Sequence, residues 1–493
     1  MLLVIVPPER LLRSLGVVAL DALSSVLHDA IAATGDAPSG LLPARDQMAL
    51  SLGSHIVLAC FGVAFPSMIF VVHILGLRGN ATALTLAKRW SKASAVLFAI
   101  GAVSGTVLSF EMGLLWPGLM GKYGDVLGLP FAFEGMSFFI EAIFLGIYLY
   151  GWGRMSPKVH PFMLLPMAAA GIFGTFCVLS VNAWMNWPTG FRLVNGEVTD
   201  VHPWRAMFNE RVWLQFAHMW VGAFMVVGFT VAGVYAVGML KGRRDAHHRL
   251  GFLVPFVFAS CAALVQPVIG HVLGFGMDAH QPSKLAAFEF AETTTDGASP
   301  LRIGGVWIDG KPRGTIDIPK VGSLVAENSF TKPVTGMDTI PAADRPDDSA
   351  INIAHWTFQS MIGLGSALAG GVVLFWFARW RRRDLLANRW FLRGVALAGP
   401  AAILALEFGW TATEVGRQPW VVYGYLRTAD AATDNPWLWW SLGGVTVLYV
   451  AMGIAGAVVL RSMSRRWREG VADLPSPYGP ARIQETADKG AHA

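Results

Sequence analysis

The chain has 493 residues, of which 54% are hydrophobic and only 14% are charged. Soluble domains carry about a quarter charged residues, so this composition excludes an ordinary soluble enzyme and predicts an integral membrane protein. The 19 tryptophans fit that class, because tryptophan is enriched where helices meet the membrane surface. The net charge of +5 comes from basic residues clustered in a few loops, a pattern explained by membrane topology rather than by nucleic acid binding.

Residues 1–44 precede the first long apolar stretch. They begin with MLLVIV, continue as PPERLLR and end in the turn-rich TGDAPSGLLP. A signal peptide places its positive charges before the apolar stretch and ends in a small-residue cleavage site, and this segment does neither. We expect an N-terminal extension that lies at the membrane surface or is disordered, or that reflects an upstream start codon.

Nine apolar stretches are long enough to cross a bilayer, which requires about 20 residues. They lie at residues 50–77, 93–115, 130–151, 162–185, 214–240, 250–274, 352–378, 391–413 and 437–461. Lysine and arginine are concentrated after the odd-numbered stretches, as in Arg381, Arg382 and Arg383 after the seventh. The positive-inside rule then places the N-terminus outside and the C-terminus in the cytoplasm. The predicted fold is an all-α bundle of nine transmembrane helices.

One predicted external loop is long, at residues 275–350 between the sixth and seventh stretches. It is rich in Gly, Pro, Thr and Asp and contains short β-like pieces such as GGVWIDG. Loops of this length in compact proteins are usually functional or disordered. The chain therefore divides into an extension, six spans, an external loop, three spans and a cytoplasmic tail, at residues 1–44, 45–274, 275–350, 351–462 and 463–493.

Several acidic residues lie in or beside the apolar stretches, where a charge is costly and an ionisable residue is a functional candidate. FEGMSFFIEAIF places Glu134 and Glu141 seven residues apart, on one face of the third predicted helix. Glu407 and Glu414 repeat this spacing in the eighth, and Glu111 lies near the outer end of the second. A hydrogen bond to a neighbouring helix would explain any one of these acids. Two pairs with this spacing favour a proton path or the ligation of a metal or haem.

Three further residues are candidate iron ligands. His55 in LGSHIVLAC, His218 in LQFAHMWVG and Met361 in FQSMIGLGS are all placed near the outer surface by the predicted topology. A lone histidine or methionine in an apolar helix is more often a core residue. Their common depth with Glu134 and Glu414, and the small residues around them, favour a site for a flat macrocycle. Histidine with methionine is an axial pair of low-spin haem.

Four motifs occur in order between the appropriate spans, namely FEGMSFFIEAIFLGIYLYGW, VNAWMNWP, PSKLAAFE and EVGRQPW. Over residues 45–460 the chain resembles subunit I of the cytochrome bd quinol oxidases. Its external loop lacks the family's extra insertion, which places it in the short Q-loop group, with a cyanide-insensitive type left open. The resemblance implies a multi-pass protein of the bacterial cytoplasmic (inner) membrane that oxidises quinol outside and reduces oxygen to water with cytoplasmic protons.

The resemblance also implies a set of cofactor ligands. His218 and Met361 would bind a low-spin haem b. His55 and Glu414 would each ligate one haem of the oxygen site, which holds a high-spin haem b and either haem d or a further haem b. The other implied cofactor-binding residues are Glu134, Trp410 and Arg417. In this interpretation Arg417 balances the charge beside Glu414 or pairs with a haem propionate.

Catalytic residues are implied on two segments. Glu134 and Glu141 would line the oxygen site and relay protons to it, because protons do not cross hydrocarbon unaided. In the external loop, Lys284 and Glu289 would bind quinol and accept its protons. The implied partners are a second membrane subunit (subunit II), a small single-span accessory subunit as a further option, and membrane lipid.

Two other classes stay open at this point. A membrane cytochrome b that passes electrons without reducing oxygen needs His218 and Met361, but not His55 with Glu414. Carbon monoxide binding to the reduced protein separates it from an oxidase. A transporter would use the buried carboxylates alone, and it would be colourless when purified.

Overall fold

The computed structural model describes residues 40–470. Within this range nine helices are long and apolar enough to cross a membrane, which confirms the predicted all-α class and the number of spans. These helices are α1 (Leu41–Leu77), α2 (Ala81–Leu115), α3 (Pro117–Tyr150), α4 (Leu164–Asn186), α6 (Val212–Leu240), α7 (Ala246–Gly274), α11 (Asp348–Trp380), α12 (Arg389–Val415) and α14 (Leu438–Arg468). Most of the predicted N-terminal extension and of the C-terminal tail lies outside the described residues.

Several helices begin well before the apolar stretches that predict them. Helix α1 starts at Leu41, so residues 41–44 are helical and not part of the extension to which the sequence assigned them. Helix α2 starts at Ala81 because Asn80 caps it, with Oδ1 accepting a hydrogen bond from the Ala83 amide at 3.0 Å. Helix α3 starts at Pro117, a residue type favoured in the first helical turn. Hydropathy detects only the part of a helix that crosses hydrocarbon, whereas caps set its actual start.

The long connection between α7 and α11 is folded. Its elements are α8 (Met277–His280), α9 (Pro282–Glu289), β3 (Leu301–Ile303), β4 (Val306–Ile308), β5 (Lys311–Arg313), β6 (Ile316–Ile318) and α10 (Val321–Glu327). β3 pairs with β6 and β4 with β5, both antiparallel, which gives a two-stranded ribbon. The predicted β-like piece GGVWIDG contains β4. Trp307 of β4 is buried and anchors the ribbon in a small apolar core with α9.

Smaller elements occupy the remaining connections. They are β1 (Arg192–Val194), β2 (Glu197–Thr199), α5 (Pro203–Met207), β7 (Trp420–Val422), β8 (Leu426–Arg427) and α13 (Thr428–Ala431). β1 pairs with β2 and β7 with β8, again antiparallel. We call the end of the bundle that carries the long connection the outer end and the opposite end the inner end.

The largest apolar core lies in the inner half of the bundle, where side chains such as Met68, Val227 and Phe252 are fully buried or nearly so. Nearer the outer end, four helices that pack on one another each contain a segment in which no residue is fully buried. No residue is buried in four segments, which together we call the open band: 52–59 of α1, 213–222 of α6, 356–367 of α11 and 403–411 of α12. The protein side chains in this band do not close on one another as they do in the inner core.

Candidate functional site

His55 lies in the open band on α1 and faces α2. Its Nδ1 is 2.8 Å from Oγ of Ser104, which itself donates to the Gly101 carbonyl at 2.9 Å. Gly105 lies beside the ring, where a Cβ would be only 3.0 Å from Cε1 of His55. A hydrogen bond at one ring nitrogen fixes the ring and leaves the other, Nε2, to bind a metal.

His218 has a similar environment on α6. Gln266 of α7 places its Nε2 3.3 Å from His218 Nδ1 and also donates to the His218 carbonyl at 3.0 Å. Gly270, one turn further along α7, would bring a Cβ within 3.2 Å of the ring. Gln266 was not predicted from the sequence, although a single glutamine in the apolar stretch ALVQPVIG was a visible signal.

Met361 of α11 lies against α12. A Cβ at Gly409 would be 2.7 Å from the Met361 sulfur, so glycine is required for this approach. On either side of Gly409, the Oε1 atom of Glu407 and the Nε1 atom of Trp410 are buried without a hydrogen-bond partner among the described residues. Glu407 also faces α1, since its Oε2 is 3.2 Å from the Cβ position of Gly53.

Glu414 and Arg417 form an ion pair between Oε2 and Nη2, which agrees with the charge balance that the resemblance implies for Arg417. Asn182 of α4 donates to the other carboxylate oxygen of Glu414 at 2.7 Å. Arg417 is only 1% exposed, and its Nε and Nη1 atoms have no partner among the described residues. A guanidinium with two unused buried donors is suited to bind a second carboxylate.

The acids of α3 lie on one helix face, as predicted. Glu141 is buried against Gly62 of α1, where a Cβ would be 2.8 Å from its Oε1, and near Gly171 of α4. Glu134 lies seven residues nearer the outer end and is partly buried. Glu111 of α2 has a different environment, because Oε1 accepts hydrogen bonds from Gln47 and Ser51 at 2.9 Å each. Those bonds join α1 to α2 and favour a structural role for Glu111.

A polar cluster at the inner end was not anticipated from the sequence. Tyr148 continues the face of Glu134 and Glu141 by a further seven residues, and its hydroxyl is 2.8 Å from His73 Nδ1. His160 Nε2 lies 2.7 Å from the Tyr148 carbonyl oxygen, and all three side chains are buried. The repeated spacing of seven was the available signal, but a tyrosine in an apolar helix does not by itself stand out.

Lys284 and Glu289 are both on α9 and only 4% exposed. Burial and then the nearby Arg417 charge lower the pKa of Lys284 to about 7, against the opposite effect of Glu414. Burial raises the pKa of Glu289 to about 7, with Arg302 opposing the shift. The Lys284 ammonium donates to Oδ1 of Asn186 in α4. One amine and one carboxyl thus titrate near neutral pH on the same short helix.

Three polar side chains on one face of α11 hold the ribbon of the long connection. Asn352 accepts from the Trp307 amide at 2.7 Å and donates to its carbonyl at 2.8 Å. His355 places Nδ1 2.7 Å from the Phe288 carbonyl, and Gln359 accepts from the Gly304 amide at 3.0 Å. We call Asn352, His355 and Gln359 the α11 stripe. It fixes the connection on the helix that carries Met361.

The fold and these side chains define a class. The protein is a multi-pass helical membrane protein with histidine, methionine and carboxylate side chains in or near the open band and a folded connection at the outer end. Within residues 40–470, no group of three or more His, Cys, Asp or Glu side chains could hold a metal ion unaided. Sites that supply one or two protein ligands are typical of iron held in a macrocycle.

The family described as cytochrome bd terminal oxidase subunit I matches residues 43–467, and the chain belongs to that family. It is therefore a subunit of a respiratory terminal oxidase, as the motifs predicted.

Among its relatives are two proteins of Bacillus subtilis (strain 168). One, provisionally named a cytochrome bd menaquinol oxidase subunit I, is 33% identical over 85% of this chain and 95% of its own length. The other, a cytochrome bd ubiquinol oxidase subunit 1, is 29% identical over 88% of this chain and 94% of its own. The structure of bd oxidase from Geobacillus thermodenitrificans superposes with a TM-score of 0.82 at 34% identity, covering 87% of this chain and 99% of that one.

The family implies haem cofactors, and the residues of the open band fit them. Glycines beside His55, His218 and Met361 let each donor side chain pack directly against the backbone of a neighbouring helix. The unpartnered donors of Arg417 suit a haem propionate, which is a carboxylate in need of buried cations or N–H groups. His55, His218 and Glu414 each also have a hydrogen-bond partner on a neighbouring helix that orients the side chain.

Proposed function

We propose that this chain is the haem-bearing catalytic subunit of a bd-type quinol:oxygen oxidoreductase in the bacterial cytoplasmic membrane, with its long connection and N-terminus outside. One observation carries the proposal. His55, His218 and Met361 lie within the open band of their helices, and Glu414 lies three residues beyond it on α12. Four donors at the level where protein packing opens are what a set of haems requires.

The assignment of ligands follows from the donor types. His218 and Met361 would hold a low-spin haem b, since two strong axial ligands favour electron transfer over oxygen binding. His55 and Glu414 would each hold one haem of the oxygen site, a high-spin haem b and a haem d or further haem b. When bound, these groups supply electron storage and the iron that binds oxygen. Trp410 Nε1 and Arg417 would bind polar groups at the haem edges.

Quinol oxidation is assigned to α9. A quinol releases two protons with its two electrons, so a proton acceptor must lie beside it. Glu289, with a pKa raised to about 7 by burial, is ionised in part at neutral pH and takes up a proton readily. Lys284, whose pKa is lowered to about 7, is a hydrogen-bond donor for a quinol oxygen. Together they hold the substrate and remove a proton at the outer surface.

Proton delivery is assigned to the polar face of α3. Glu141 and Glu134 are spaced by about 10 Å along the helix axis, a distance that water molecules bridge. Tyr148 and His73 extend the same line towards the inner end. Glu141 would accept protons from the cytoplasmic side and pass them to Glu134 beside the oxygen site. Taking protons from the inside while releasing them outside stores energy without a separate pump.

The chain would act with a second membrane subunit. The relatives are named as subunit I or subunit 1, which implies at least one more. In the most apolar segments of α2 and α14, only 11% of the residues are buried by the rest of the chain. Both helices therefore have large exposed faces for subunit II or lipid. A small single-span accessory subunit would bind to the same exposed faces.

A reduced-minus-oxidised absorption spectrum with haem extraction tests this function. The purified protein with its partner subunit should show b-type haem, and carbon monoxide should shift part of the reduced spectrum. Haem without a carbon monoxide response would instead assign a membrane cytochrome b that only passes electrons. A colourless protein would overturn both and favour a transporter.

A further inference from the structure

The motif VNAWMNWP supplies two amides to which the proposed function gives no role. Asn182 and Asn186 lie one turn apart near the outer end of α4. Asn186 is 5% exposed and Asn182 is partly buried. Because buried amides are costly to leave without partners, the contacts of these two side chains are informative.

The two amides form a continuous chain of hydrogen bonds between α9 and α12. The Lys284 ammonium donates to Asn186 Oδ1. Asn186 Nδ2 is shared between the Asn182 carbonyl at 2.9 Å and Asn182 Oδ1 at 3.3 Å. Asn182 Nδ2 then donates to Glu414 Oε1 at 2.7 Å. Residues 284 and 414 are thereby joined through two side chains of a third helix.

The direction of this series of hydrogen bonds is fixed by the groups at its two ends, Lys284 and Glu414. An ammonium group only donates hydrogen bonds and an ionised carboxylate only accepts them, so each amide must turn its oxygen to Lys284 and its nitrogen to Glu414. Hydrogen bonds aligned in one direction polarise one another in a medium of low dielectric constant. The positive and negative ends therefore stabilise the same arrangement of both amides.

Two further contacts hold this arrangement in place. Gln281, just before α9, donates to the Asn186 carbonyl at 2.6 Å and to its Oδ1 at 3.0 Å. Gly416, two residues after Glu414, lies so close to α9 that a Cβ there would be 2.9 Å from Cγ of Lys284. The ends of α4, α9 and α12 thus meet at the amide pair.

We propose that Asn182 and Asn186, which we call the amide ladder, are positioning residues that couple the quinol-binding lysine to the iron-ligating carboxylate. The inference rests on the proposed function and deepens it. The ladder holds one oxygen of Glu414 while Arg417 holds the other. When Lys284 turns to a quinol oxygen, Asn186 Oδ1 keeps only the neutral donor Gln281 and loses the charged one, so the bond from Asn182 to Glu414 weakens with it. Substrate at the loop would thereby change the hydrogen bonding of the carboxylate proposed to hold a haem, without touching that haem.

The test uses the oxidase complex with Asn182→Leu and Asn186→Leu, each compared with Asn209→Leu. Asn209 is a matched control, because its amide is also buried beside α4 and bonds the Ser180 and Ala206 carbonyls outside the ladder. Three quantities are measured: the absorption and electron paramagnetic resonance signals of the Glu414-ligated haem, KM and kcat for quinol, and thermal stability. Asn182→Ala is a second variant that admits water if the leucine side chain prevents folding.

Both ladder variants should shift the signals of that haem, and quinol turnover should fall about 10- to 100-fold, the range for outer partners of metal ligands. Asn209→Leu should lower only stability. Adding Lys284→Met to Asn186→Leu should raise KM no further than Lys284→Met alone. The ladder is rejected if Asn186→Leu changes KM but not the haem signals, or if the Asn209 control causes the same shift. A wild-type complex without haem would instead reject the proposed function itself.

Discussion

The open band and the inner core of the helix bundle are packed differently. In the inner core, side chains such as Met68, Val227 and Phe252 are fully buried or nearly so. Tyr148, His73 and His160 bond one another there, although Trp152 Nε1 beside them has no partner among the described residues. In the outer half, the open band contains buried polar atoms without partners, at Glu407 and Trp410. Protein interiors are normally close-packed and buried polar groups are normally bonded. The loss of full burial, rather than the unbonded atoms alone, therefore distinguishes the open band from the inner core.

The largest effect should come from removing a donor of the open band. His218→Ala should abolish the low-spin haem signal and reduce quinol oxidase activity to background, because an axial ligand is lost. The measurement is the reduced spectrum of the purified complex. His271→Ala, in the outer turn of the neighbouring α7, is the control and should leave the spectrum unchanged. An unaltered spectrum in His218→Ala would refute this ligand assignment.

The next largest effect should come from Glu289 in the long connection between α7 and α11. Glu289→Gln should slow quinol oxidation by about 100-fold or more, the scale for a lost general base, while an artificial electron donor still supports oxygen reduction. In the wild type the ionised form of Glu289 is lost as pH falls through about 7, so kcat/KM for quinol should decline on the acid side. The variant should lack this acid limb. Equal loss of activity with both donors would assign Glu289 a structural role.

An inner-core substitution should affect stability and not spectra. Leu86 of α2 is fully buried, and Leu86→Ala should lower the free energy of unfolding by about 2–5 kcal/mol through the cavity that it leaves. Thermal unfolding of the purified complex measures the change. Leu404→Ala in the open band is a useful contrast, since Leu404 is 48% exposed and should cost much less. If the two variants were equally destabilised, the distinction between the halves would fail.

The smallest effect should come from the inner polar cluster. Tyr148→Phe removes one hydrogen bond to His73 and should cost about 1 kcal/mol of stability. If Tyr148 also belongs to the proton path, oxygen reduction should slow in the variant even with an artificial donor. Tyr235→Phe, which loses the 2.8 Å bond from Trp90 elsewhere at the inner end, is the matched control. Equal turnover in the two variants would confine Tyr148 to packing.

The number and approximate positions of the membrane-spanning helices could be predicted, because bilayer thickness sets a minimum length for the apolar stretches that cross it. The Glu414–Arg417 contact was also accessible from the sequence, since the two residues are only three apart in the chain, with Arg417 just beyond the end of α12. The bond between Asn182 and Glu414 was not, because it joins residues 232 positions apart and depends on which helices pack together. The same limit applies to Gln266 beside His218. A single sequence reports on each helix separately and carries little information on their neighbours.

The α11 stripe has a consequence for engineering. Its three side chains bond the ribbon through main-chain groups and the carbonyl of Phe288, so the connection is attached to α11 by contacts that depend on ribbon geometry more than on ribbon sequence. If the connection of a relative replaced this one, it would pack on α11 only if α11 had polar side chains at positions 352, 355 and 359. The unit to exchange is therefore the loop together with residues 348–359 of the following helix, which end two residues before Met361.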